Sequence, residues 1–299
     1  MSRSFSMEPA TRNSQLETRN RPPAGGRGSR AAGFTLVEAV MVIVITGLIA
    51  AAVAVFINKP VQGYFDAARR AELTDAADTA LRRIGRDLRL ALPNSVRVAS
   101  SGGNTYLEFL LTSGGGRYRA ETDSGGGGNI LDFTAADGSF DVLGPAPPLA
   151  AGDSIVVFNL GPGFAGADAY AGGANNRAAY SSGGSTITLA AAKLFPFESP
   201  GKRFQVVPYA VTYECAPNPG NPAAGVVRRY WNYGINAAQA TPPAGGSNAL
   251  LVTQVSGCAL TYDANAVAQR NGVVLISLTL DKGGEQVTLM QQVHVSNIP

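Results

Sequence analysis

The rhythm of apolar and polar positions changes twice along the chain, and each change marks an element. From Phe34 to Ile57 nearly every residue is apolar, and Glu38 is the only charge. A helix of that length is about 36 Å long, enough to cross a hydrocarbon core of about 30 Å. From Val61 to Leu92 the apolar residues retreat to one stripe of Leu73, Ala77, Leu81, Ile84, Leu88 and Leu92, the spacing of an amphipathic helix. Asp66 with Arg70 and Asp78 with Arg82 form acid-first pairs one turn apart, and Pro93 disfavours helical geometry at Leu92. The pattern predicts one helix of about sixty residues, apolar all round at first and one-faced later.

From Asn94 onward short runs of β-branched and aromatic residues alternate with turn signals. The predicted strands are Thr105 to Leu111, Ile130 to Phe133, Ser154 to Leu160, Ser185 to Leu189, Arg203 to Tyr213, Val226 to Trp231, Leu250 to Val255 and Cys258 to Tyr262. A hairpin follows: Val273 to Leu280, a turn through Asp281-Lys282-Gly283-Gly284, then Gln286 to Val295. The glycine-rich intervals at Gly114 to Gly116, Gly125 to Gly128, Gly161 to Gly173 and Thr241 to Gly246 read as surface loops, since none has the Lys-Ser/Thr of a phosphate-cradling loop.

Composition agrees with a loop-rich, β-leaning domain outside the cytoplasm: 36 Gly, 18 Pro and 15% charged residues, with 45% hydrophobic residues to build a core. The net charge of +3 misleads, because residues 1–33 hold six arginines against Glu8 and Glu17, leaving the rest of the chain at −1. That balance argues against a general nucleic-acid-binding surface. The leader lacks an apolar face and is read as disordered and cytoplasmic, its arginines fixing the inner side of a single-pass segment, with Met7 a second candidate start.

The small residue Gly33 stands before the apolar run, whereas an ordinary secretory signal is cut after it. Gly33-Phe34-Thr35-Leu36-Val37-Glu38 abutting such a run resembles the type IV pilins and the type II secretion pseudopilins. The resemblance implies cleavage between Gly33 and Phe34 by a prepilin peptidase, N-methylation of Phe34 by the same enzyme, and retention of the helix. It also implies an assembly role for Glu38: a carboxylate in a first helical turn is favoured by the dipole but costly in lipid unless paired, and the Phe34 amine of a neighbouring subunit would pair it, the alternatives being a pair within the same subunit or a side chain that snorkels to the headgroups. Many pilins carry a late proline in this segment, but here Val53, Ala54 and Val55 stand there, leaving Gly47 and Pro60 as the candidate points of helix flexibility.

Further along, Pro60 to Val98, Phe195 to Val207 and Gln292 to Pro299 are similar to minor pilins of the mannose-sensitive haemagglutinin pilus system. The implied fold is α+β and lollipop-shaped: a cleaved leader (1–33), a transmembrane and assembly half-helix (34–59), an amphipathic half (60–93) and a β-rich periplasmic head (94–299). The implied partners are the prepilin peptidase, other major and minor pilins, the inner-membrane assembly platform and inner-membrane lipid, with no nucleic acid. The implied place is the inner membrane, then the extracellular pilus after assembly. A secretion pseudopilin and a glycan-binding tip adhesin are the alternatives.

Other candidate chemistry is thin. Cys215 and Cys258 are the only cysteines, and an even count outside the cytoplasm favours a disulfide, as pilins commonly have near the C-terminus. Two cysteines and one histidine are too few for structural zinc. His294 lies in the last predicted strand with no nucleophile-elbow motif to meet, so neither a catalytic residue nor a cofactor is expected. Asp137 and Asp141 could offer oxygens to calcium, but their spacing matches no recognised loop and no metal site is assigned. Arg82, Arg83, Arg86 and Arg89 read as a solvated or subunit-contact face, and Tyr170, Tyr180, Tyr230, Trp231 and Tyr233 read as core or as a sugar-stacking set.

Overall fold

The computed structural model describes residues 33–173, 176–267 and 271–299. Of the leader read as residues 1–33, residues 1–32 lie outside the described residues. Among the described residues one long helix precedes fourteen strands, the expected α+β arrangement. The helix is α1 (Leu36–Leu88), with Pro60 inside it. The first seven strands are β1 (Arg97–Ser101), β2 (Asn104–Leu111), β3 (Gly114–Tyr118), β4 (Asp137–Leu143), β5 (Ser154–Val157), β6 (Arg177–Gly183) and β7 (Thr186–Lys193). The remainder are β8 (Arg203–Val207), β9 (Tyr209–Ala216), β10 (Val226–Tyr233), β11 (Ser247–Thr253), β12 (Val255–Val267), β13 (Asn271–Lys282) and β14 (Glu285–Ser296). The chain divides between Lys59 and Pro60 into two compact units.

Within the second unit, the apolar stripe of α1 is buried as its spacing predicts. Leu73, Ala77, Leu81, Ile84 and Leu88 share a core with two antiparallel sheets. One sheet has the order β1-β2-β9-β10-β11 and the other β12-β13-β14. Alternation selects the inward face of each strand: Leu107 and Phe109 on β2, Val211 and Tyr213 on β9, and Val274, Ile276, Leu278 and Leu280 on β13. The helix ends at Leu88, four residues before the predicted Leu92. Leu90 and Ala91 donate to the carbonyls three residues back, and Leu92 then donates to Leu110 at 2.7 Å. Pairing with β2 captures the backbone before Pro93 can act. Leu92 itself remains buried, in a smaller cluster with Leu110, Tyr170, Val207 and Tyr233.

The expected ion pairs are partly exchanged. Arg82 meets Asp78 at 2.6 Å, but Asp66 is taken by Arg69, and Arg70 instead reaches Glu285 at 2.8 Å. Lys282 holds both oxygens of Glu72 at 2.7 and 2.8 Å, so the tip of the β13–β14 hairpin grips the helix at two points. Cys215 on β9 and Cys258 on β12 are disulfide-bonded with their Cα atoms 6.4 Å apart, tying the two sheets together.

The second half of the fold is a closed six-stranded barrel in the order β3-β4-β7-β6-β5-β8. Its interior is filled by Tyr118, Phe140, Ile155, Ile187, Phe195, Phe204 and Val206, with the Phe140 and Phe204 rings edge to face at 5.5 Å. Here the sequence reading needs correction. Gly114 to Gly116 is not a surface loop but strand β3. A Cβ on Gly116 would lie 2.8 Å from the Phe204 ring, and one on Gly115 would lie 2.7 Å from the Phe204 carbonyl. The glycines therefore let β8 approach, where a side chain would push it away. Ile130 to Phe133 forms no strand, although Leu131 is buried in the barrel and donates its N–H to Arg119. The run from Arg203 to Tyr213 splits at Pro208, which has no N–H for a ladder. β8 joins the barrel and β9 the five-stranded sheet.

Candidate membrane and assembly segment

The first residues of the described chain form a helix start of recognisable chemistry. Thr35 precedes the first helical residue, and its Oγ1 accepts the N–H of Glu38 at 3.2 Å. This is the first half of a capping box, Thr-x-x-Glu, which uses one of the otherwise unpaired N–H groups of the first turn. Glu38 is thereby set in that turn, where the helix dipole favours its charge. The cap escaped the sequence reading, although the Thr-x-x-Glu spacing carries it.

Beyond Glu38 the helix turns apolar side chains outward on all sides. Phe34 is 77% exposed and Phe56 83%, and none of the most apolar window is buried within the chain. By length and composition this helix is able to cross a membrane. Each large aliphatic or aromatic side chain left in water forgoes about 1.5–3 kcal/mol, so a run of such residues needs lipid or other helices around it. Thr46, the polar side chain within the run, donates to the Val42 carbonyl at 2.6 Å and adds no unsatisfied group. A Cβ on Gly47 would meet nothing within 4 Å, so this chain supplies no packing reason for glycine there. Pro60 lies inside the continuous helix and withholds one backbone donor from it.

The remaining sequence candidates are placed as follows. Tyr170, Tyr180 and Tyr233 are buried in the two smaller cores. The Tyr230 hydroxyl donates to Glu214 at 2.7 Å, and Trp231 lies 4.8 Å under the Arg229 guanidinium. Burial and the neighbouring Glu214 push the Tyr230 hydroxyl up to about 12. These aromatics build the fold and present no common platform for a sugar ring. His294 is exposed beside Gln292. The oxygens of Asp141 accept from the Asn129 N–H at 2.9 Å and the Thr186 hydroxyl at 2.7 Å, and those of Asp137 from Asp132 and Ser139. Both carboxylates thus organise loops of the barrel. No group of three or more metal-ligating side chains occurs among the described residues. Of the four arginines on α1, Arg83 lies 3.5 Å from buried Asp87, which also accepts from Arg229 at 2.7 Å and Tyr213 at 2.8 Å. Arg82, Arg86 and Arg89 remain exposed.

Comparison with known proteins meets this geometry at one place. Residues 28–54 match the family model described as the prokaryotic N-terminal methylation motif. Searches of curated proteins and of solved structures return no match. The matched interval contains Gly33, Phe34, the Thr35 cap, Glu38 and most of the outward-facing apolar helix. The chain thus carries the signal of a type IV pilin-like or pseudopilin-like subunit, with an N-terminal helix suited to anchoring it in a membrane.

Proposed function

We propose that this chain is a structural subunit, without an active site, of a type IV pilus of the mannose-sensitive haemagglutinin kind, and that it acts as the system's O-type minor pilin. The observation that carries the reading is the coincidence of the methylation-motif match with a capped, wholly outward-facing apolar helix. Such a helix is stable only in lipid or among other helices, and a membrane followed by a filament of packed helices provides the two in turn. In this reading a prepilin peptidase removes residues 1–33 and methylates Phe34. Residues 34–59 hold the subunit in the inner membrane, residues 60–93 carry the head, and residues 94–299 lie in the periplasm and enter the pilus on assembly. Glu38 pairs with the Phe34 amine of the neighbouring subunit and sets the stagger, while Gly47 and Pro60 are the points where the helix yields.

The test is expression of the full chain with and without a prepilin peptidase, followed by mass and N-terminal analysis. The expected product begins at N-methyl-Phe34. A product that retains residues 1–33, or is cut after Ile57, overturns the reading. Glu38→Ala is expected to leave processing intact and to reduce incorporation into filaments. Restoration of pilus assembly rather than protein secretion, in a host lacking its own minor subunit, separates a pilin from a secretion pseudopilin.

A further inference from the structure

The sheet edges outside the barrel are unequally protected. β1 is five residues long, and β11 and β12 are broken by register shifts. β14 pairs with β13 at twelve consecutive positions without a shift. It contains no Pro, Lys or Arg, and no acid after Glu285. Long, flat, uncharged edges invite another strand, and proteins ordinarily blunt them with such residues or with bulges. Beside β14 lies an open groove of about 810 Å³ against α1, lined by Leu81, Leu289, Met290 and the arginines Arg82, Arg86 and Arg89. Asp78 answers Arg82, whereas Arg86 and Arg89 have no carboxylate partner among the described residues.

We propose that a partner subunit adds an extended, acidic strand to the β14 edge. Such a strand sits one spacing, about 4.8 Å, beyond β14. Its main-chain groups continue the ladder, its inward side chains enter the groove toward Arg86 and Arg89, and its outward apolar side chains lie beside Met290, which is 70% exposed. Main-chain pairing supplies affinity, and the arginines choose the partner. A second copy of this chain is disfavoured because edge-to-edge pairing brings two sets of arginines to one seam. The inference rests on the filament-subunit reading only in naming the partner a subunit.

The experiment uses the full chain in detergent micelles and a short labelled peptide alternating Glu and Val, read by fluorescence anisotropy. Saturable, salt-weakened binding is expected, falling by at least about tenfold for the Arg86→Glu, Arg89→Glu double variant and for a peptide alternating Glu and Pro, which cannot donate to a ladder. Both substitutions are at exposed positions, and an unchanged melting temperature verifies the fold. Equal binding of the Glu-Pro peptide, equal binding of a thymidine oligonucleotide, or homodimers abolished by Met290→Glu each overturn the proposal. Correct processing at Gly33 without peptide binding sinks this inference alone. Peptide binding in a chain that is not processed sinks the filament-subunit reading and leaves the edge.

Discussion

The barrel and the helix-backed sheets handle the same difficulty, the unpaired edge of an antiparallel sheet, in opposite ways. The barrel closes on itself and leaves no edge, with its core filled from within by aromatic rings. The two open sheets instead share one helix, one disulfide and a hairpin that grips the helix from outside. Closure makes the barrel self-contained, while openness leaves β14 and the arginine face of α1 available for contact. The two halves are thus held together by separate means.

That division predicts separable failures. The largest is Phe204→Ala, which empties the barrel of a fully buried ring and costs about 3–5 kcal/mol. Hydrogen exchange should then lose protection in β3 to β8 and keep it in β13; uniform loss would mean the two halves unfold as one. Next, Cys258→Ser should cost about 2–4 kcal/mol by releasing β12 from β9, with the loss of protection confined to the helix-backed sheets. Gly116→Ala forces a methyl group into the Phe204 ring and should destabilise the barrel by about 1–3 kcal/mol, measured by denaturant unfolding.

The finest prediction concerns pH, where the two halves have opposite signs. Burial pushes the Glu108 carboxyl of the five-stranded sheet above its ordinary value of 4.5, in spite of Arg97 at 2.7 Å. Its contribution is full below that value and is lost as pH rises through the raised folded one. Asp141 of the barrel is held below 3.8 by the Asn129 N–H and the Thr186 hydroxyl, so its contribution is lost as pH falls. Glu108→Gln should therefore flatten the decline of melting temperature toward neutral pH, and Asp141→Asn the decline toward acid. The same slope change in both variants would break the contrast.

How much of this was legible in the sequence follows from how local each signal is. The stripe from Leu73 to Leu88 and the hairpin of β13 and β14 have strict periodicity, and both fold as their patterns predict. The strand β3, with the sequence GGGRY, has no such pattern, because its glycines answer to the Phe204 ring on a distant strand. β6 offers only Ala178 and Tyr180 to the core and was equally hidden. The candidate site divides in the same way. Gly33 through Glu38 is contiguous and readable, whereas the β14 edge acquires meaning only once α1 lies beside it.

The grip of Lys282 on Glu72 joins residues 210 positions apart, and the strands that cover the helix stripe are drawn from the whole head, from β2 to β14. The earlier strands β2 and β9 therefore cover only part of the stripe, and β13 and β14 supply the rest. A chain interrupted before Val274 lacks the Val274, Ile276, Leu278 and Leu280 side chains that complete the core around Leu73 and Leu81. Burial of the helix stripe is thus complete only once the β13–β14 hairpin is in place, which couples the two ends of the helix-backed fold in folding.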